Sequence, residues 1–394
     1  MIDPTVDRTS VREELPGVTT QIHLNTASFG PLLRCVSPAI NAWLEKECFE
    51  GRLGMAAYAA MGALYDEARG HLARFMNAQS DEIALTGNTG EGLNIVCHGL
   101  DWQSGDEIII TDHEHISLLV LVHYIRDRYG VTVRVADLGP GLQQPAEEAI
   151  ARLITPRTRL IILSHISFMT GAVMNVRAVS DLAHQSGILV LADGAQSAGV
   201  IPIDVKELGV DFYAFPMQKW LCGPDGTGAL YVRRDVLDRL QLTYVGGWFS
   251  LNYTGLKSWI FKESAQRFEL GGRQTAGVAG QIACLRWLEE IATFEWVYNR
   301  ISALNAYAYD AVSAIPGAQI HTPRSGASGL LTFSLEGHNP APIVPWLQHE
   351  HKIHVRAMFE YNALRVSTNF FNIEEEIDQL AEALRIWQRR GGQL

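Results

Sequence analysis

Between about residue 80 and residue 232, short apolar runs alternate with stretches of helical periodicity. Glu107–Thr111 (EIIIT), Val131–Ala136 (VTVRVA), Arg159–Ser164 (RLIILS), Ile188–Ala192 (ILVLA), Asp211–Phe215 (DFYAF) and Ala229–Val232 (ALYV) read as strands. They are rich in β-branched residues and several are apolar on both faces, the pattern of a mostly parallel sheet covered by helices. Helix-like segments lie between them, such as Arg177–Gln185 with apolar Val179, Leu182 and Ala183. Leu93, Val96, Cys97 and Leu100 recur at i, i+3, i+4 and i+7, which predicts a helix from about Thr89. After about residue 275 the texture changes. A helical region, Gly277–Tyr307, precedes the strand-like GLLTFSLEG, a helix Ala341–Glu350, a short strand KIHVRAM, then LRVSTNFFN and a final helix Ile373–Arg389. The fold class expected is α/β: a large domain over 31–270 built on a mostly parallel mixed sheet, and a smaller C-terminal α+β domain over 271–394. Residues 1–30 are expected to pack on the small domain or the cleft.

The length of 394 residues allows two such domains to share a large core. A formal charge of -11 argues against non-specific nucleic-acid binding, which needs a basic footprint. The five cysteines are scattered and never form a CxxC pair, so neither a disulfide framework nor a zinc site is expected. Reduced thiols fit a cytoplasmic location. The N-terminal MIDPTVDRTSVREELPG lacks the apolar core of a secretory signal, and no apolar run reaches the length of a membrane span. Basic residues are uneven, with 26 Arg against 6 Lys, so few lysines compete for any covalent role.

Five segments carry candidate chemistry. In LADGAQSAG, Asp193 stands at the C-terminal end of a strand, where ligands bind in open α/β sheets, and Gln196 follows three residues on. The carboxylate there either meets a cationic ligand or caps a helix. Lys219 lies in DFYAFPMQKWLCGPDGTG, between a strand and a glycine-rich turn, in apolar company that suits a nucleophilic amine. GPDGTG enters another strand, so it is not a dinucleotide loop, which must open a helix. In LTGNTGEGLNIV, Thr89 and Gly90 begin a helix whose free N–H groups either bind a phosphate or are simply capped. In TDHEHIS, Ser117 stands where a zinc HExxH motif needs its second histidine. No metal is therefore expected, and His113 and His115 are loop histidines or a flat ring beside a cofactor. Arg356 and Arg365 fall in one short two-strand unit and could anchor a carboxylate bidentately.

In this order the segments resemble the class V aminotransferases, pyridoxal 5′-phosphate (PLP) enzymes of fold type I. The resemblance runs from HLNTASFGPL to RVSTNFFNIEEEIDQLAEAL. It implies a Schiff base on Lys219, Asp193 on the pyridinium nitrogen, Gln196 on the phenolic oxygen and His115 stacked on the ring. It also implies Thr89 and Gly90 on the phosphate, with Gln218 able to donate to it, and Arg365 on the substrate α-carboxylate with Arg356 nearby. A homodimer with active sites at its interface is implied too, with VGGWFS (245–250) reaching the partner's site. Some residues depart from the family pattern: Pro216 and Gln218 replace the usual Ser or Thr and His, Gly272 replaces a phosphate-binding Thr, and Phe168 replaces an Asn.

Within the family, desulfurases carry a nucleophilic cysteine on a loop before the carboxylate-binding arginine. The corresponding AMFEYNAL has none and is short. The resemblance is therefore to the cysteine/cystine C–S lyases and isopenicillin N epimerase-like enzymes. The leading expectation is α,β-elimination from a cysteine-derived amino acid, with freed Lys219 as general base and pyruvate and ammonia as end products. Epimerisation, decarboxylation or oxidative deamination of an S-substituted cysteine, and a non-enzymatic PLP-fold protein are the alternatives.

Overall fold

The computed structural model describes residues 8–253, 258–324 and 328–391. Its largest sheet has seven strands in the order Ile83–Thr86, Gly228–Val232, Phe212–Pro216, Leu189–Asp193, Thr158–Ser164, Glu107–Thr111 and Thr132–Ala136. Gly228–Val232 runs antiparallel to both neighbours, and every other pairing is parallel. Side-chain alternation supplies two cores. Ile109, Ile161, Leu163, Val190, Tyr213 and Phe215 pack on one face. Ile108, Ile110, Leu160, Ile162, Leu191 and Phe212 pack on the other. Burying such a side chain on either face contributes about 1.5–3 kcal/mol, which is why the central runs carry no polar alternation.

The first face is covered partly by two helices for which periodicity gave no reading, Val36–Glu50 and Met55–Met76. The helix Thr275–Trp287 packs against both, and Gly280 admits Val36 and Ile40 to its backbone. The expected single helical region Gly277–Tyr307 is in fact broken. The helix Thr275–Trp287 passes through a π turn, Leu288–Ala292, and a new helix, Phe294–Ser313, begins after Thr293. Thr293 has φ of 60° and caps that helix by accepting a hydrogen bond from Trp296 N–H. A left-handed β-branched residue cannot continue a helix, so the chain turns there.

A second sheet contains Ala318–Ile320, Leu330–Leu335, Ala363–Ser367 and Arg356–Met358, all antiparallel. Leu331, Phe333, Leu364 and Val366 pack on the helices Phe294–Ser313 and Glu374–Arg389. KIHVRAM is not one strand. Ile353–His354 pairs in parallel with Ile22–His23, whereas Arg356–Met358 pairs with Ala363–Ser367. The two halves serve different partners, so the strand must break at Val355. Beyond His23 the N-terminal segment bridges Asn25 to Ser367 and then reaches the large sheet, where Gly30 N–H donates to the Gln218 carbonyl. Residues 1–7 lie outside the described residues.

One strand in from the edge of the large sheet, Glu107 is buried at the start of its strand. It accepts from Arg134 Nη2 at 2.8 Å, Thr155 Oγ1 at 2.7 Å and Arg157 Nη2 at 3.2 Å. The Arg134 hydrogen bond, against the opposing cost of burial, holds its carboxyl down at about 2. A carboxylate depressed in the folded state stabilises above its ordinary range, and that contribution is lost as pH falls towards the folded value. Glu107→Gln is therefore expected to cost about 2 kcal/mol near neutral pH, below the loss from a fully buried pair because Arg157 is largely in water. Chemical denaturation at a series of pH values checks this: the gap between wild type and variant must close between pH 4.5 and 2.

Candidate functional site

The C-terminal ends of the parallel strands open onto a cleft of ≈ 190 Å³. Thr89, Gly90, His115, Asp193, Gln196, Gln218 and Lys219 all line it. Arg365 approaches from the second sheet, and its charge and that of Arg356 both act on Lys219 and His115. Residues from four separate loops of the large sheet and from the C-terminal sheet thus converge, as expected at the carboxyl edge of an open α/β sheet.

Asp193 ends the strand Leu189–Asp193 and accepts from Ala195 N–H at 2.8 Å. Complete burial raises its carboxyl, while that N–H and the Lys219 charge hold it down. Its turn is packed from behind. Gly194 lies so close to Tyr213 that an added Cβ would sit 2.2 Å from the ring. The Tyr213 hydroxyl is bonded to Ser197 Oγ at 2.6 Å and His165 Nδ1 at 2.9 Å. This network was not legible in the sequence, because its members are separated along the chain.

Lys219 follows the strand Phe212–Pro216 on a turn closed by Cys222 N–H to the Lys219 carbonyl and Gly223 N–H to the Met217 carbonyl. Gly30 seals it from the N-terminal segment: a Cβ there would stand 2.0 Å from the Lys219 carbonyl oxygen. Gly30 is thus a positioning residue that spacing alone did not identify. Burial pulls the Lys219 amine down to about 8. Asp193 opposes this, and Arg365 and Arg356 add to it. A substantial neutral fraction exists near physiological pH, which a nucleophile or general base requires.

His115 caps the helix Ile116–Tyr129 and accepts from Ser117 N–H through Nδ1, which leaves the ring proton on Nε2. Burial, then Lys219, Arg356 and Arg365, lower it to about 4, so the imidazole is neutral. His113 differs. It is buried, bonded to Ser167 Oγ at 2.9 Å, and donates to the Gly139 carbonyl at 3.0 Å, so it is a satisfied loop histidine. Glu114 turns inward between them and accepts from Thr111 Oγ1 at 2.6 Å and Ser164 Oγ at 2.7 Å. Burial raises its carboxyl to about 7. Among the described residues, no group of His, Cys, Asp and Glu could hold a metal ion.

Two parts of the site suit anions. At the start of the helix Thr89–Gly99, Asn88 Oδ1 caps the Glu91 N–H, which leaves the Thr89 and Gly90 N–H groups of the first turn for an anion. Gln218 Oε1 beside it is buried without a partner, and its amide can turn to present either O or N. Arg273, which follows Gly272, pairs with Glu91 at 3.0 Å. The second anion site is Arg365. It is 1% exposed, and Nη1 donates to the Phe168 carbonyl at 2.8 Å. Nε and Nη2 are buried without a hydrogen-bond partner. Burial, reinforced by Arg356 and opposed by Glu360, lowers the guanidinium to about 9. Such a cation demands a carboxylate. Arg356 is instead exposed and donates to Ser28 Oγ at 3.2 Å, so the two arginines are not equivalent.

Gln196 donates to the Ala27 carbonyl at 3.1 Å and accepts from Trp220 Nε1 at 2.8 Å, which leaves one amide hydrogen for a further acceptor. The donor set fits PLP. It holds a buried carboxylate in need of a cation, an amine of lowered basicity, a flat neutral imidazole and a helix start. No cysteine lines the cleft: Cys97, Cys222 and Cys284 are buried elsewhere, Cys35 is half-buried and Cys48 exposed.

The family profile described as "Aminotransferase class-V" matches residues 25–380. A probable cysteine desulfurase of Methanothermobacter thermautotrophicus is 31% identical over 393 residues, spanning 95% of this chain and 96% of the relative. The structure of the cystine C–S lyase C-DES with its reaction product cysteine persulfide aligns with a TM-score of 0.89. It is 31% identical and covers 94% of this chain and 98% of its own. A C-DES mutant with glycine covalently linked to the PLP cofactor has the same TM-score at 30% identity, covering 95% and 98%.

Proposed function

The chain belongs to the aminotransferase class-V family, and we propose that it uses PLP, held on Lys219, to break the C–S bond of a cysteine-derived amino acid. The observation that carries this reading is the combination of two features: a buried guanidinium, Arg365, whose Nε and Nη2 lack a partner, and Lys219 together with Asp193 in a cleft with no thiol. Arg365 offers Nε and Nη2 to the α-carboxylate, and Arg356 adds positive potential at the mouth. Asp193 keeps the cofactor's ring nitrogen protonated. Thr89 and Gly90 donate to the phosphate, Gln218 turns its amide to it, and Gln196 gives its remaining hydrogen to the phenolic oxygen. His115 covers one ring face as a neutral imidazole. PLP, when bound, supplies an electron sink for the pair left at Cα.

Lys219, as an amine of lowered basicity, is the group placed to remove the proton at the substrate's Cα. The Cα–H electrons form the Cα–Cβ double bond as the sulfur departs with the C–S pair and takes a proton. Water converts the three-carbon remainder to pyruvate and ammonia. With no cysteine in the cleft, the sulfur leaves as a small molecule instead of passing to a protein thiol. Product analysis tests this. Cystine and S-alkyl-cysteines should give pyruvate and a thiol or persulfide in equal amounts. Deuterium uptake at Cα without pyruvate would replace elimination by epimerisation.

The amino-acid substrate acts within a homodimer in this reading. Phe49, Leu53 and Met55 are each more than 80% exposed where the helix Val36–Glu50 turns into the helix Met55–Met76. Val245, Trp259 and Ile260 are more than half exposed nearby in the chain that packs Phe249 on Tyr65. Such apolar surface favours self-association. The side chain of Trp248 in VGGWFS lies outside the described residues. A monomer in sedimentation equilibrium would count against the dimer. No helix among the described residues is long and apolar enough to cross a membrane. The free thiols suit the cytoplasm.

A further inference from the structure

Phe168 is the largest apolar side chain lining the cleft, and the chemistry above leaves it without a task. It is half-buried, lines the cleft beside Lys219 and His115, and meets the His115 ring edge-on, with centroids 5.0 Å apart at 82°. Its carbonyl accepts from Arg365 Nη1 at 2.8 Å. Its side chain joins Met169, Met358, Ala363 and Tyr361 in a small apolar cluster separate from the main cores. Three of these residues belong to the short turn between Arg356 and Arg365, and Met358 and Ala363 are paired across it.

We propose that Phe168 determines specificity by forming the apolar wall of a subsite for the group on the substrate's sulfur, so that S-alkyl-substituted cysteines are taken in preference to free cysteine. The inference rests on the C–S cleavage reading and narrows its substrate class. The Phe168 carbonyl holds Nη1 and so fixes the plane of the guanidinium, which leaves Nε and Nη2 for the carboxylate. Cα then faces Lys219, and in a cleft of ≈ 190 Å³ that both Lys219 and Phe168 line, the sulfur, two bonds further, falls within reach of the Phe168 ring. Arg365 is engaged by the carboxylate, and the wall itself is the Phe168 ring, backed by the buried Met169, Met358 and Ala363. A free thiol gains little there and a thiolate is desolvated, whereas an alkyl group buries apolar surface. A methylene in an apolar pocket discriminates by roughly 10-fold or more.

The test measures binding apart from turnover. 3-(Ethylthio)propionate and 3-mercaptopropionate carry the carboxylate and the sulfur but no amine to react. Their Kd values for the PLP-loaded protein are obtained by calorimetry for wild type, Phe168→Leu and Phe168→Asn, with circular dichroism confirming that each variant is folded. Wild type should bind the thioether about 10-fold more tightly, Phe168→Leu should keep most of that ratio, and Phe168→Asn should bring it near unity. The kcat/KM ratio of S-ethyl-L-cysteine to L-cysteine should follow the same order. Equal Kd values in wild type, or an undiminished preference in Phe168→Asn, overturn the proposal. The Kd pattern without pyruvate from either amino acid would instead retain the subsite and remove the C–S cleavage reading. Pyruvate formed without discrimination would do the reverse.

Discussion

Lys219→Ala is expected to reduce C–S cleavage by ~10⁴-fold or more, because it removes the covalent attachment and the general base together. The folded state should survive the change. The turn bearing Lys219 is held by backbone hydrogen bonds from Gly30, Cys222 and Gly223, none of which involves the side chain. Removing a buried amine whose basicity is lowered mainly by burial also relieves a desolvation cost. The measurements are pyruvate release and the absorbance band of the PLP-loaded protein near the visible edge. Both should vanish in Lys219→Ala while its circular dichroism is unchanged. Lys219→Arg should not rescue, since a guanidinium does not lose its proton in this range. A wild-type protein that shows no such band when supplied with PLP would refute the assignment.

Asp193→Asn should lower kcat by roughly 10²–10⁴-fold, the equivalent of the ~3–5 kcal/mol that attends loss of a buried counter-charge. Asparagine is close in shape, and its oxygen can still accept from Ala195 N–H, so the turn packed by Tyr213 and Ser197 should persist. The charge alone is removed, and the sign of the consequences can be checked in the protein without cofactor. Asp193 raises Lys219, so Lys219 should fall below about 8 in the variant. Asp193 also raises Glu114, so Glu114 should fall from about 7 towards the ordinary carboxylate range. NMR titration of both groups tests these shifts. Unchanged kcat and an unmoved Lys219 would show that Asp193 does not face the reacting groups.

Much of the large sheet was readable from the chain. The expected strands Glu107–Thr111, Arg159–Ser164 and Ala229–Val232 differ from those observed by no more than a residue at either end. Strands buried on both faces must be continuously apolar, and that pattern is local. The helix from Thr89 was equally legible, since its periodicity and its Asn88 cap both lie within a few residues. The site was legible in part. Asp193, Gln196, His115 and Lys219 follow strand ends, and parallel topology gathers such ends at one edge.

Other features depended on partners distant in sequence. Arg356 and Arg365 read alike in the chain, yet one faces Ser28 and water while the other is buried without a counter-charge. His113 and His115 read alike too, and only the position of Ser167 and the Gly139 carbonyl makes one structural. Gly30 had no visible task until the N-terminal segment was seen to lie on the Lys219 carbonyl.

By itself, then, the sequence of this protein determined which segments could be strands, which strand ends could carry chemistry, and which lysine could hold a cofactor, because hydrophobic period and strand-end position are properties of neighbouring residues. The tertiary structure decided which arginine is buried without a counter-charge, which histidine lies neutral beside the cleft, and which apolar side chains gather around Phe168. Burial, desolvation and unpaired hydrogen-bonding groups arise only when segments far apart in the chain are brought into contact.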